Sequence, residues 1–122
     1  MAGPSGEKVG HYESVKAEEV PKDMASGGVR VRWLIKGEDG ARAFAMRLFE
    51  LDPGAEIKEH SHPWEHEIFV LEGEGTVGIG GSEYAVRKDY FIFIPPNVPH
   101  RYKNTGSKVL KFLCMIPLKP TA

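Results

Sequence analysis

The 122 residues carry a formal net charge of −1, with 27% charged and 41% hydrophobic residues, which is the composition of one ordinary globular domain. The balanced charge and the lack of Lys/Arg runs argue against nucleic acid and anionic membranes as partners. No apolar run is long enough to span a bilayer, the first ten residues lack the apolar core of a signal peptide, and the single cysteine excludes an internal disulfide. We therefore expect a cytoplasmic location.

Taken in chain order, residues 1–27 are rich in Gly, Glu, Lys, Ser and Pro and are expected to form a mobile tail and a loosely attached segment. From Val29 onward, short β-prone runs alternate with turn signals such as KGEDG, DPG and GGS. The nine runs are VRVRWLIK, RAFAMRLFEL, AEIKEH, HEIFVLEG, GTVGIG, EYAVR, YFIFIP, VPHRYKN and KVLKFLCMIP. They predict one all-β domain, a sandwich or barrel over residues 28–118, followed by a C-terminal tail at 119–122.

Alternation along each strand separates an inner from an outer face. Charged residues that belong in water set the parity, and the inward positions it predicts include His66, Ile68, Val70, His100, Tyr102, Phe112 and Cys114. Apolar residues also occupy outward positions, namely Phe69, Leu71, Phe91, Phe93, Leu113 and Met115. A monomer would leave this second apolar face wet, so we expect a homodimer in which two sheets pack face to face.

Four of the five histidines lie in two short segments, HSHPWEH and PPNVPHRY. His60 and His62 point to the same side of a strand, with Cα atoms about 6.6 Å apart. Two imidazoles at that spacing can converge on one metal ion. His66 returns on the next strand, and His100 completes the set if the barrel brings it across. His11, in the polar N-terminal segment, is interpreted as an ordinary surface residue.

The stretch from Gly54 to Gly73 resembles the first motif of the cupin family. That motif reads Gly, five residues, His-x-His, three or four residues, an acidic ligand, six residues, Gly. His66 stands here where the family usually has Glu. Glu67 is a rival ligand because it satisfies the looser family spacing, but it lies one residue too close to Gly73 and alternation points it outward.

The second cupin motif is matched in spacing by Asp89, Pro95, Asn97, His100 and Asn104. Asp89 and Asn97 replace the two glycines of that motif, and both residue types tolerate left-handed or turn conformations. The resemblance covers residues 44–116. It implies a single-domain cupin barrel, also called a double-stranded β-helix or jelly roll.

A narrower resemblance links HSHPWEHEIFVLEGEG, MRLFELDPG and FLCMIP to small manganese-binding monocupins that use four histidines and no carboxylate. It implies one divalent transition metal ion per chain, with manganese as the metal and His60, His62, His66 and His100 as ligands. Ligand chemistry alone also admits Fe, Zn, Cu or Ni.

Four neutral imidazoles leave a divalent site at about +2 and, on a six-coordinate ion, two open positions, so the site should bind a small anion. The pocket walls are expected to be mostly apolar, and the candidate pocket residues are Ile57, Trp64, Ile68, Tyr102, Phe112 and Cys114. Trp64 is either a lid or a cover for the barrel edge. Arg47 is either a solvated strand residue or an anion partner, and we favour the solvated alternative.

The resemblance and the site together favour a metal-dependent oxidoreductase of the dioxygenase type, which activates dioxygen, a peroxide or a small anionic or unsaturated substrate. Apart from Glu50 and the Tyr102 hydroxyl, no inward acid or base is expected, and this weakens isomerase and hydrolase chemistry. Two alternatives stay open. One is a non-catalytic module that binds or senses a metal or small ligand, and the other is a metal-dependent isomerase or lyase acting through an enolate.

Overall fold

The computed structural model describes residues 3–118, so the predicted tail at 119–122 and the first two residues lie outside the described part of the chain. Short 3-10 helices occur at Tyr12–Ser14 and Gly37–Asp39. The strands are β1 (Glu18–Glu19), β2 (Ala25–Ser26), β3 (Val29–Ile35), β4 (Phe44–Leu51), β5 (Glu56–His60), β6 (His66–Glu72), β7 (Glu74–Ile79), β8 (Ser82–Arg87), β9 (Phe91–Ile94), β10 (His100–Asn104) and β11 (Leu110–Pro117). All nine predicted runs form strands, which confirms the all-β fold class.

Two antiparallel sheets face each other and enclose the core. One sheet has the order β1-β3-β4-β11-β6-β9 and the other has the order β2-β5-β10-β7-β8. From β4 to β7 the chain passes to the opposite sheet at each successive strand, as a jelly roll does. The interior is filled by almost fully buried apolar side chains, including Leu51, Val70, Val77, Ile94 and Phe112. No helix between residues 3 and 118 is long and apolar enough to cross a membrane.

The N-terminal segment lies across the barrel and contributes β1 and β2, which pair with β3 and β5. The Arg32 guanidinium donates to the Val15 carbonyl at 2.7 Å, and the Lys111 ammonium donates to the Tyr12 hydroxyl at 3.1 Å. The expected mobility of residues 1–27 stays a prediction. These two strands could not be predicted from the sequence, because a two-residue strand is too short to show alternation.

Asp89 and Asn97 hold two turns in a left-handed conformation, with φ angles of 75° and 67°. They are the only non-glycine residues with positive φ among residues 3–118, and the motif glycines Gly54 and Gly73 have the same sign of φ. The Asn97 backbone N–H donates to the His62 carbonyl at 2.8 Å. Residues that tolerate this conformation therefore occupy the two motif positions where glycine is missing, and one of them fixes a loop against the histidine segment.

We predict that Asn97→Ala lowers the free energy of unfolding by about 1 kcal/mol, because alanine pays the full cost of a left-handed backbone. Asn97→Gly should cost clearly less, since glycine has no Cβ. Urea unfolding of the two variants measures the difference, and Ser107→Ala in an exposed loop is the control. A glycine variant as unstable as the alanine variant would contradict this account of the turn.

Candidate metal centre

The four histidines meet at one end of the barrel interior. His60 ends β5, His66 begins β6, His100 begins β10, and His62 lies in the turn between β5 and β6. One ring nitrogen from each residue lies within 4.8 Å of those of the other three. His100 reaches the group because β10 pairs with β5 in antiparallel register, which places it opposite His60. The structure therefore brings together all four residues singled out by their spacing.

Backbone carbonyls orient three of the four rings. The Nδ1 atoms of His60, His62 and His100 each lie 2.9 Å from the carbonyl oxygen of a residue two positions away. A carbonyl can only accept, so each Nδ1 carries the ring proton and donates it. Each Nε2 is then left unprotonated, which is the arrangement that a metal-ligating histidine requires.

Two further observations show that a cation fits the group. The Nε2 atoms of His62 and His66 lie 2.7 Å apart, which is a hydrogen-bond distance when His66 carries its proton on Nε2 and is also close to the separation of two ligands on one ion. Two ligands at right angles on one ion, each about 2.1 Å from it, would be about 3.0 Å apart. The Nε2 of His100 is buried and has no hydrogen-bond partner among residues 3–118, so its lone pair is available.

Burial keeps three of these imidazoles neutral. Desolvation lowers the pKa of His66 from 6.5 to about 2, and the nearby Arg47 guanidinium adds to the effect. Desolvation also lowers the pKa of His62 and of His100, although the hydrogen bond from each ring to a carbonyl opposes it. All three rings are therefore uncharged at neutral pH and able to ligate a metal.

His66 is oriented by side chains rather than by a carbonyl. Its Nδ1 lies 2.9 Å from the Cys114 thiol sulfur and 3.4 Å from an Arg47 guanidinium nitrogen. If the sulfur accepts the Nδ1 proton, the Nε2 of His66 is unprotonated like the other three. Burial raises the pKa of the Cys114 thiol, which favours its neutral form.

A cavity of about 70 Å³ opens beside the histidines. Its walls are formed by Val20, Met24, Arg47, Phe49, Ile57, His60, His66, Tyr102 and Cys114, none of which is acidic. Of the predicted pocket residues, Ile57, Tyr102 and Cys114 line this space. Ile68 and Phe112 are buried in the core without lining it. Trp64 stacks on His62, with ring centroids 4.2 Å apart and planes 4° apart.

Arg47 lines the cavity, so the expectation that it is a solvated strand residue is wrong. In the ladder between β4 and β11, Arg47 lies opposite the inward Cys114. Its Nη2 is 3.1 Å from the Cys114 sulfur, and its guanidinium carbon is 5.3 Å from the Trp33 ring and 4.9 Å from the Phe49 ring. Strand parity is the signal that could have indicated this position, because Arg47 shares a face of β4 with the apolar residues Phe49 and Leu51.

Two carboxylates considered for the site lie outside it. Glu50, expected as one possible inward acid, is on the outer face, where it is 3.3 Å from the Arg32 Nε and 3.6 Å from the Arg30 Nε. Glu67, the rival ligand, is exposed and pairs with Met115 of β11 in the sheet. Neither carboxylate faces the histidines, because both alternate with inward residues of their strands.

Comparison with known proteins places this geometry among related chains. A family model for the cupin domain matches residues 47–116. The polyketide synthase protein CurC of Streptomyces cyaneus is 31% identical over 108 residues, which cover 87% of this chain and 70% of that protein. The oxalate-binding protein of Thermotoga maritima is 34% identical over 114 residues, covering 85% and 93%. The solved structure of the polyketide cyclase RemF from Streptomyces resistomycificus has a TM-score of 0.86 at 34% identity, covering 95% of this chain and 82% of that one.

Proposed function

Because this chain belongs to the cupin family, we propose that it is a metal-dependent enzyme in which His60, His62, His66 and His100 hold one divalent transition metal ion. The observation that carries the proposal is the convergence of one ring nitrogen from each of the four histidines, all within 4.8 Å of one another. When bound, the ion would supply Lewis-acid stabilisation of negative charge on a substrate oxygen. The choice of manganese rests on the resemblance to tetra-histidine monocupins.

For the reaction, we favour carbon–carbon ring closure through an enolate, whose α-proton would pass to solvent because no carboxylate lines the cavity. CurC and RemF are named as polyketide synthase and polyketide cyclase proteins, and such ring closures pass through enolates. In this chain, the Arg47 guanidinium can donate hydrogen bonds to an anionic oxygen. The Tyr102 hydroxyl can do the same, because burial raises its pKa well above 10 and keeps it protonated. These donors suit a substrate that develops negative charge on oxygen.

Dioxygenase-type oxidation is the second candidate. It is favoured by the absence of any carboxylate among the residues that line the cavity, because redox chemistry at a metal needs no protein base. A non-catalytic binding module is the third candidate. It is favoured by the relative from Thermotoga maritima, which is named for binding oxalate rather than for turning it over. Either alternative would use the same four histidines.

The protein should hold about one divalent ion per chain when prepared with metal, as measured by elemental analysis. The His60→Ala/His62→Ala variant should lose it, while His11→Ala, an exposed histidine outside the site, should not. Metal content should fall as pH is lowered, because only neutral imidazole ligates. Burial lowers the pKa of three of the rings, so the loss should begin below about pH 6 rather than at the usual histidine pKa. Unchanged metal content in the double variant would disprove the ligand set.

The reaction class can be tested with the acetoacetyl thioester of N-acetylcysteamine, a compound that forms an enolate between its two carbonyl groups. In D2O, metal-loaded protein should speed deuterium exchange at the carbon between the two carbonyl groups. The rate should be at least about tenfold higher than with free ion and than with metal-free protein. The measurement is proton NMR at short times. An oxygen electrode on the same samples should show no consumption of dioxygen.

Each other result selects a different function. Consumption of dioxygen that depends on protein and metal would replace enolate chemistry with dioxygenase-type oxidation. Binding of the thioester or of oxalate by calorimetry, with neither exchange nor oxygen consumption, would leave only the binding module. His100→Ala should lower the exchange rate by removing a ligand. Cys114→Ala should keep the metal, since Cys114 contacts His66 without lying among the four proposed ligands.

We further propose a homodimer formed through the outer face of the six-stranded sheet. Phe69 lies opposite both Leu113 and Phe91 across that sheet, and Phe91 is 83% exposed. Phe93 is 54% exposed on the same strand. This row of exposed aromatic and aliphatic side chains resembles a surface that a second copy would cover. Tyr12 and Val15 instead contact the β3–β4 end of the sheet.

Light scattering should therefore give about twice the chain mass of 13.5 kDa at micromolar concentration. Phe91→Glu/Phe93→Glu should shift the protein to the monomer, because two carboxylates would have to be buried in the interface. Lys103→Glu, at an exposed position of β10 in the other sheet, is the control and should leave the dimer intact. A wild-type mass near that of one chain would refute the dimer.

A further inference from the structure

Arg47 is a half-buried cation that lacks a carboxylate partner. The other half-buried arginines, Arg30 and Arg32, both lie within ion-pair distance of Glu50. Arg47 makes no ion pair with any residue between 3 and 118. Its Nε is buried and has no hydrogen-bond partner in the same part of the chain. A guanidinium taken out of water without a counter-charge is costly, so its retention here calls for a ligand.

Tyr102 supplies a second unpartnered donor to the same cavity. The residue is only 6% exposed, and its hydroxyl is buried with no hydrogen-bond partner among residues 3–118. Both Tyr102 and Arg47 line the cavity that also reaches His60 and His66. A buried hydroxyl left unsatisfied costs free energy, so this hydroxyl calls for a partner that enters the cavity.

The surroundings define what would satisfy these two donors. No cavity-lining residue is acidic, so the only charge on the walls is the positive one of Arg47. The remaining walls include Val20, Met24, Phe49 and Ile57, which are apolar. Arg47 is also held in place, because its guanidinium lies against the rings of Trp33 and Phe49. A pre-oriented guanidinium with an apolar border favours an anionic oxygen carried on an apolar group.

We propose that Arg47 and Tyr102 form an anion subsite beside the four histidines, which binds a carboxylate or enolate oxygen of the substrate. The guanidinium and the phenol hydroxyl donate to that oxygen, while the apolar part of the molecule lies against Phe49 and Ile57. A cavity of about 70 Å³ accommodates the charged end of such a molecule, and the remainder extends past Met24. The subsite rests on the proposed function in one respect: the molecule it holds is the one that reaches the metal.

The probe is benzoate, with benzamide as its uncharged match, and calorimetry is run on metal-free and metal-loaded protein. Wild-type protein should bind benzoate in both forms and should bind benzamide at least about tenfold more weakly. Arg47→Met should weaken benzoate binding roughly 10- to 100-fold, and Arg47→Lys should restore part of it, because lysine keeps the charge without the planar fork. Tyr102→Phe should weaken binding about 3- to 10-fold.

Controls separate loss of the subsite from loss of the fold or the metal. Arg101→Met removes an exposed arginine that pairs with Glu83 and should bind benzoate like wild type. Tyr102→Phe removes only an unpartnered hydroxyl, so its melting temperature should be unchanged or higher, and weaker binding then reports the lost donor. Metal content should be unchanged in Arg47→Met, since Arg47 is not a ligand.

Equal affinity of Arg47→Met and wild type for benzoate, or equal affinity of wild type for benzoate and benzamide, would overturn the subsite. Absence of benzoate binding by wild type in both forms would do so as well. These outcomes are independent of the proposed function, which fails if wild-type protein holds no metal or if neither metal-dependent reaction is found. Benzoate binding by metal-free protein would support the subsite even then.

Discussion

The antiparallel pairing of β10 with β5 is the contact on which the site depends, because it places His100 opposite His60 across the second sheet. Facing that sheet, β6 and β11 bring His66 and Cys114 to the same interior. The two sheets together bury His66 and His100, and this desolvation lowers the pKa of both rings and keeps them able to ligate a metal. Closure of the barrel therefore both brings the four histidines together and keeps the buried ones uncharged.

The two faces of the six-stranded sheet carry different electrostatics. On the outer face, the buried carboxylate of Glu50 lies between Arg30 and Arg32, so positive and negative groups offset one another. On the inner face, Arg47 stands without an acid and next to neutral histidines. A divalent ion would raise the positive charge of this interior further. The inner cavity is thus complementary to an organic anion, whichever reaction the metal supports.

The nine long strands and the histidine group could be predicted from the sequence, because alternation and spacing are local properties of the chain. The left-handed turns at Asp89 and Asn97 could also be predicted, since few residue types tolerate that backbone. The inward position of Arg47 is the exception: the sequence offers it as one of two alternatives, and the solvated alternative is favoured because a charged residue is assigned to water by default. That assignment fails where both faces of a sheet are largely covered and a charged side chain lines an interior cavity. The stacking of Trp64 on His62 depends on the path of a turn that no periodicity encodes.

Three of the four histidine rings are oriented by local contacts, and the fourth is oriented by contacts between residues distant in sequence. His60, His62 and His100 are fixed by carbonyls two residues away, so each can be set as its own loop forms. His66 is fixed by Cys114, and the guanidinium of Arg47 contacts both of these residues from β4. The orientation of the His66 ring therefore requires that β11 pair with both β4 and β6. The same three strands position the guanidinium, so a change at Cys114 would loosen the orientation of both His66 and Arg47 while leaving all four histidines in place.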